Sequence, residues 1–271
     1  MSEINTRFRT IDGLSVRYAQ STEPREVEAL LFAPWPETLY AYDATWASLA
    51  ERAHLTAVDL PGFGHSELRA DLLSPQAMGE FIARVADEFG LARPHVVGPD
   101  IGTSAVLFAV AEHPDRFRSA TVGTGGAAVP LQLGEPLHSW VHDEDLAPYR
   151  ALGQRDILTI ALDSIQGYEP PAEVREDYRA AYVGTRFADQ IPYVQAYRRE
   201  LPVLGEKLGG ITTPVQIING RFDPVVPLAN AEYLRDRIPG SRLDIVDKGH
   251  FIWEEAADDY ARLLTEWWQK N

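Results

Sequence analysis

A chain of 271 residues, 45% hydrophobic and 24% charged, can bury one full core and still carry a smaller inserted part. Its formal net charge of −15 argues against nucleic acid and anionic membranes as partners, and it disfavours a polyanionic ligand. The absence of cysteine excludes disulfides, thiolate metal sites and a cysteine nucleophile. No apolar run approaches the roughly 18 residues of a membrane span, and the first residues lack the basic-then-apolar pattern of a secretory signal. The expectation is a cytoplasmic protein acting on a small molecule, with no metal and no cofactor. Assembly with further copies of itself stays open.

In chain order, residues 8–11 and 14–19 flank Asp12-Gly13, a dipeptide suited to a tight hairpin, so two antiparallel strands are expected. Residues 27–32 are an apolar run expected of a strand buried on both faces. A helix over 42–53 and a strand over 55–60 come next. Ser74 caps a helix running to Phe89. A strand begins at His95, a helix covers 104–112, and 118–122 is the next strand. This alternation predicts an α/β fold with a mostly parallel sheet of eight strands and helices on both faces. After Gly126 the rhythm breaks. Residues 129–208 are rich in Pro, Tyr and Glu, show no strand pattern, and are too long for a loop inside a compact domain. They read as an inserted helical cap, or lid. The alternation resumes with strands over 214–219 and 241–246 and helices over 228–237 and 252–269. The predicted division is a core of 1–128 and 209–271 with a cap of 129–208.

Between the strand at His95 and its helix lies Gly98-Pro99-Asp100-Ile101-Gly102. The spacing fits Gly-x-nucleophile-x-Gly, a turn that reverses a strand directly into a helix. Only residues without a Cβ tolerate the crowding on either side. The central residue, here Asp100, is thrust out beside the helix N-terminus, where the dipole favours negative charge. Alone, the match also suits a turn whose Asp caps the helix. Two later stretches agree with the chemical reading. The strand ending at Asn219 runs into Gly220-Arg221-Phe222-Asp223, and the last strand runs into Asp247-Lys248-Gly249-His250. Parallel strands bring their C-terminal ends to one rim, so Asp100, Asp223 and His250 should converge. A carboxylate is anionic at neutral pH and attacks without a base. His250 would then activate water, and Asp223 would orient the imidazole.

Other residues read more plainly. Ser104 lies within the helix and not at the turn, which disfavours a serine nucleophile. His65 packs a loop near the rim, and His95 flanks its strand at the surface. Glu176-Asp177 starts a cap helix as a solvated face, and Glu254-Glu255 suits the dipole of the last helix.

The segment Val58-Asp59-Leu60-Pro61-Gly62-Phe63-Gly64-His65-Ser66, together with the order Asp100, Asp223, His250, resembles the α/β-hydrolase superfamily over nearly the whole chain. The Asp at the elbow resembles the subset that holds epoxide hydrolases and haloalkane dehalogenases. That resemblance implies attack by the carboxylate on an sp³ carbon, giving an alkyl-enzyme ester that water hydrolyses. It implies an oxyanion hole formed by the N–H groups of Trp35 and Ile101. Tyr193-Val194-Gln195-Ala196-Tyr197-Arg198-Arg199 resembles the Tyr-Arg stretch of epoxide-hydrolase lids, which puts Tyr197 in the place of the acid. Tyr149 is its expected partner and Tyr168 the alternative; Trp35, His138, Trp140 and Tyr168 are expected to line the pocket.

Two departures stand out. The chain has Ala33-Pro34-Trp35-Pro36 where the superfamily usually has His-Gly-x-Pro, and the Trp35–Pro36 bond is expected to be cis as in those loops. Haloalkane dehalogenases carry Trp after the nucleophile, and this chain has Ile101. The leading reading is an epoxide hydrolase acting on a neutral, fairly apolar epoxide. The alternatives are a haloalkane dehalogenase-like enzyme and a ligand-binding protein on a catalytically decayed scaffold.

Overall fold

Asp12 and Gly13 both adopt positive φ, 50° and 79°, and the turn sets Ile11 opposite Leu14. It joins β1 (Thr6–Ile11) to β2 (Leu14–Gln20), the expected hairpin. The computed structural model describes residues 2–153, 156, 162 and 165–271, so part of the predicted 129–208 cap lies outside the described residues.

Six further strands complete the set: β3 (Glu28–Phe32), β4 (His54–Val58), β5 (His95–Pro99), β6 (Ser119–Gly123), β7 (Val215–Gly220) and β8 (Arg242–Val246). They form one eight-stranded sheet in the order β1-β2-β4-β3-β5-β6-β7-β8. β2 runs antiparallel to both its neighbours, and every pairing from β3 to β8 is parallel. The central strands are apolar because both faces are covered. Side chains alternate between the faces with a period of two. Leu30 and Phe32 thus enter the core under helices α2 (Pro75–Glu88) and α3 (Gly102–Glu112). Ala29 and Leu31 enter the opposite core, under α1 (Asp43–Ala50) and the C-terminal helix. Ser74 caps α2 as expected, its hydroxyl accepting the Ala77 N–H, with Pro75 in the first turn.

Between β6 and β7 lie the cap helices α4 (Leu137–His142), α5 (Ala147–Arg150), α6 (Ala172–Ala180), α7 (Arg186–Gln195) and α8 (Tyr197–Lys207). After β7 come α9 (Ala229–Arg237) and, after β8, α10 (Ile252–Glu255) and α11 (Ala257–Trp268). The single helix expected over 252–269 is therefore broken, at Ala256 with φ −141°. Its short first turn carries Glu255, which accepts the Gly249 N–H at 2.7 Å and so serves the loop before His250. Among the described residues no helix is long and apolar enough to cross a membrane.

The structure corrects two surface assignments. Asp177 is no solvated residue: Arg17 of β2, itself 4% exposed, donates to its two oxygens at 2.6 and 2.9 Å, and the Thr38 hydroxyl donates at 2.7 Å. Burial pulls the Asp177 carboxyl upward. Hydrogen bonds from His65 and Arg17 and the Arg17 charge outweigh it and hold the carboxyl well below the usual range. This pair latches cap helix α6 to the core. Breaking a buried pair by removing one partner typically costs about 3–5 kcal/mol. His95 is likewise buried, because β5 is a central strand; it sits 2.7 Å from the Ser119 hydroxyl and stacks on Trp268.

Candidate active site

The turn after β5 depends on Gly98 and not on Gly102, where an added Cβ would meet nothing closer than Phe32 Cβ at 3.9 Å, so the crowding expected on both sides of Asp100 exists on one. A Cβ on Gly98 would lie 2.6 Å from Val106 Cγ2 and 2.8 Å from the Gly102 carbonyl oxygen. Asp100 takes φ 52°, one of three non-glycine residues with positive φ among those described. Such a conformation persists only where the surroundings fix it. Here the Asp100 N–H donates to the Gly123 carbonyl at 2.9 Å, and the Asp100 carbonyl accepts the Thr103 N–H at 3.0 Å. The Thr103 hydroxyl adds a second tie, donating to the Gly123 carbonyl at 2.8 Å.

The ends of β5, β7 and β8 bring three side chains together. Asp223 Oδ1 accepts the N–H groups of Val225 and Val226, both at 2.8 Å. Its Oδ2 lies 2.8 Å from His250 Nδ1. His250 Nε2 lies 3.6 Å from Asp100 Oδ1. Each of the three is only 6% exposed. Burial by itself would lower the imidazole pKa; the charge of Asp223, hydrogen-bonded to Nδ1, and the Asp100 carboxylate facing Nε2 outweigh it and carry His250 to about 10. The other oxygen of Asp100 is held differently: Oδ2 accepts the Trp35 N–H at 2.8 Å. The Trp35–Pro36 bond is cis, as expected. The two oxygens of Asp100 are thus unequal, one fixed by a backbone donor and one turned toward His250.

A cavity of about 200 Å³ opens over Asp100 and His250, walled chiefly by Trp35, Trp140, Val194, Phe251 and Tyr197. Among the described residues no Lys or Arg lines it. Tyr197 is buried, with the Ser104 hydroxyl beside its phenol. Burial, and then the Asp100 charge, push this phenol above its ordinary value, so it is protonated at neutral pH. Trp140 packs edge-on against Trp35, with ring centroids 4.9 Å apart.

Three expected cavity residues lie elsewhere. In α4 the buried positions are Leu137, Trp140 and Val141, one helical face, which turns His138 outward to Glu135 at 3.5 Å. Tyr149 sits on a short helix with no buried residue, and its hydroxyl donates to Asp143. Tyr168 is half-buried outside the cavity, its hydroxyl pushed up to about 12 by burial and by the carboxylates of Glu254, Asp43 and Glu37. Neither expected partner therefore reaches the space in front of Tyr197.

Sequence reasoning also missed buried polar groups around the site. Tyr182, Gln190 and Tyr193, all from the cap, are at most 1% exposed and contact the core turns. Tyr193 stands four residues before Tyr197, and the two rings meet edge-on across the junction of α7 and α8 with centroids 6.0 Å apart; that spacing was the one available signal. Glu254 does not face solvent at a helix start. It is 3% exposed, accepts the Tyr178 hydroxyl at 3.1 Å, and is pushed up to about 7 by burial. Its neighbour Glu37 is fully buried and raised well above the usual range, by burial and then by the Glu254 charge.

A family model described as the alpha/beta hydrolase fold matches residues 31–257. Among curated proteins, the chain is similar to the dihydrolipoyllysine-residue acetyltransferase component of the acetoin cleaving system of Cupriavidus necator, at 27% identity over 95% of this chain and 67% of that one. It is also similar to a 2-hydroxy-6-oxononadienedioate/2-hydroxy-6-oxononatrienedioate hydrolase of Cupriavidus pinatubonensis, at 28% identity over 77% of this chain and 74% of that one. Among solved structures it resembles the epoxide hydrolase CorEH, with a TM-score of 0.81 over 97% of this chain and 98% of that one, at 17% identity. At that identity the likeness speaks for the fold alone.

Proposed function

We propose that this chain, which belongs to the α/β-hydrolase fold family, opens a neutral, fairly apolar epoxide to a diol through an ester on Asp100. The observation that carries this reading is the unequal use of the two Asp100 oxygens, in a cavity that also holds the protonated phenol of Tyr197. A carboxylate cannot usefully attack an ester or amide, because the anhydride formed is less stable than the substrate. It can open a strained ring. Asp100 Oδ1 attacks a ring carbon, the carbon–oxygen bond breaks, and the ring oxygen takes the electron pair and the Tyr197 proton. Water gives a proton to His250 and adds to the ester carbonyl carbon. Negative charge gathers on Oδ2, which already accepts the Trp35 N–H at 2.8 Å, with the Ile101 N–H as the proposed second donor. Collapse expels the diol oxygen, which takes the proton from His250. His250, protonated at rest, gives its proton to the Tyr197 phenolate before water is activated, and the proton left on the Asp100 carboxyl restores it at the end, so the cycle balances as epoxide plus water to diol.

Electrostatics favour this order. A base must be neutral to accept a proton, and His250 in the resting site is held protonated partly by Asp100. Esterification removes the Asp100 charge and so lowers the imidazole toward working range at the moment water must be activated. The cavity lining supports a neutral substrate: without Lys or Arg among the described lining residues, the charges of a dioate such as the C. pinatubonensis relative's substrate would go uncompensated. Halide displacement fits less well. Ile101 has no side-chain donor, and the Trp35 indole N–H is already donated to Gln190 at 2.5 Å.

Tyr197→Phe tests the reading. Removing one donor to a developing oxyanion costs about 10²–10³-fold, or about 2.7–4 kcal/mol. The kcat/KM for epoxides should fall by that amount, and turnover of a haloalkane should change little. Unchanged epoxide turnover would remove Tyr197 from the role of acid.

A further inference from the structure

The oxyanion hole of the proposed reaction needs two backbone N–H groups held still, and the loop that carries one of them lacks its usual His-Gly. Trp35 nevertheless aims its N–H at Asp100 Oδ2, at 2.8 Å. Phe63 of the core packs edge-on against the Trp35 ring, with centroids 6.3 Å apart, and the hydrogen bond to the Trp35 indole comes from the cap. Gln190 Oε1 accepts the Trp35 indole N–H at 2.5 Å, and Gln190 Nε2 donates to the Gly62 carbonyl at 2.7 Å. Phe187 stacks on the Trp35 ring, with centroids 5.1 Å apart and planes at 18°. The Tyr182 hydroxyl donates to the Pro36 carbonyl. On the other side of the hole, the Tyr193 hydroxyl donates to the Ile101 carbonyl at 2.7 Å. Every one of these hydrogen-bonding side chains comes from residues 182–193.

Their chemistry is not that of packing filler. Gln190 is 0% exposed in a region where a leucine would fill the same space at no polar cost. A buried amide is tolerated only when both its ends are satisfied, and here each end holds a different core loop. The two tyrosines follow the same rule, each donating its single proton to a backbone carbonyl of an oxyanion-hole turn.

We infer that Tyr182, Gln190 and Tyr193 are positioning residues through which the cap supplies the rigidity of the oxyanion hole. This rests on the proposed ester on Asp100. It separates the two half-reactions. In the first, Oδ1 attacks and Oδ2 loses negative charge, so the hole contributes little. In the second, charge builds on Oδ2 and the hole contributes fully.

The test is a single-turnover experiment with a slowly hydrolysed epoxide, in which intact-protein mass spectrometry follows adduct formation and decay. In Tyr193→Phe, which removes one oxygen atom, and in Gln190→Met, which keeps the length, adduct formation should stay within about threefold of the parent. Adduct decay should slow by about ten- to a hundredfold, so that ester accumulates. Decay at the parent rate overturns the inference, and so does an equal fall in both steps, which marks a merely structural loss. A His250→Ala control separates this from the reading beneath it. If that control traps an ester on Asp100 while Tyr193→Phe clears its ester normally, the inference alone fails. If no ester forms on Asp100 in the control, both fail.

Discussion

Asp100→Asn should lower epoxide turnover by about 10⁴-fold or more while leaving the fold intact. The amide is nearly isosteric with the carboxylate, and its oxygen can still accept the Trp35 N–H. What it loses is the negative charge that makes Asp100 a nucleophile without a base. Circular dichroism should therefore match the parent while diol formation vanishes. Slow recovery over hours would be informative, since His250 faces the Asp100 side chain and can activate water against the amide to restore Asp; the accompanying mass shift identifies deamidation. Full activity from the first minute would end the nucleophile assignment.

His250→Ala should show a different failure: one equivalent of epoxide consumed, then a stall. Asp100 needs no base, so alkylation proceeds. The ester then persists because no side chain takes the proton from water, and steady-state turnover falls by about 10⁴-fold. Mass spectrometry should find one epoxide mass on the peptide that holds Asp100. If the folded variant forms no adduct where the parent turns over, the division of labour between Asp100 and His250 is wrong. The pH dependence carries a sign. Neutral His250 is the active form for hydrolysis and protonation disables it, so ester decay in the parent should slow as pH falls. The resting imidazole sits near 10, held up in part by Asp100. Its titration in the ester should therefore lie lower, and adduct decay measured against pH reads it directly.

The core was legible because its strands are bounded on both sides by the same physics. Apolar runs ending in Gly or Pro turns leave few alternatives, and strand-end positions such as Asp100, Asp223 and His250 are fixed by the topology. The segment between β6 and β7 was legible as helical over its described residues, but its side-chain directions were not. Its helices are short, and their phase is set by what they land on. His138 and Trp140 are two residues apart on α4, yet only Trp140 faces the cavity. Tyr149, Tyr168 and Tyr197 look alike in sequence, and only Tyr197 sits on a helix whose apolar face meets α3. Asp177 and Glu254 mislead for a related reason. Asp177 stands in the second half of α6 and not at the helix start expected for it; a charged residue on a short helix normally faces water, and nothing local announces that Arg17 or Tyr178 waits across the interface.

The unequal oxygens of Asp100 also govern where an isotope travels. In water enriched in oxygen-18, the first diol released by each molecule should be unlabelled, because its new oxygen is the old Oδ1 and the label enters the enzyme. The fate of that label depends on whether the carboxylate can rotate. Oδ2 is held by the Trp35 N–H, so the incoming oxygen occupies the vacated position facing the cavity. The second diol should then carry the label almost fully. A side chain free to rotate between turnovers would instead hand on label to about half the product. The labelling pattern of the second diol thus reports how firmly one backbone donor holds one atom.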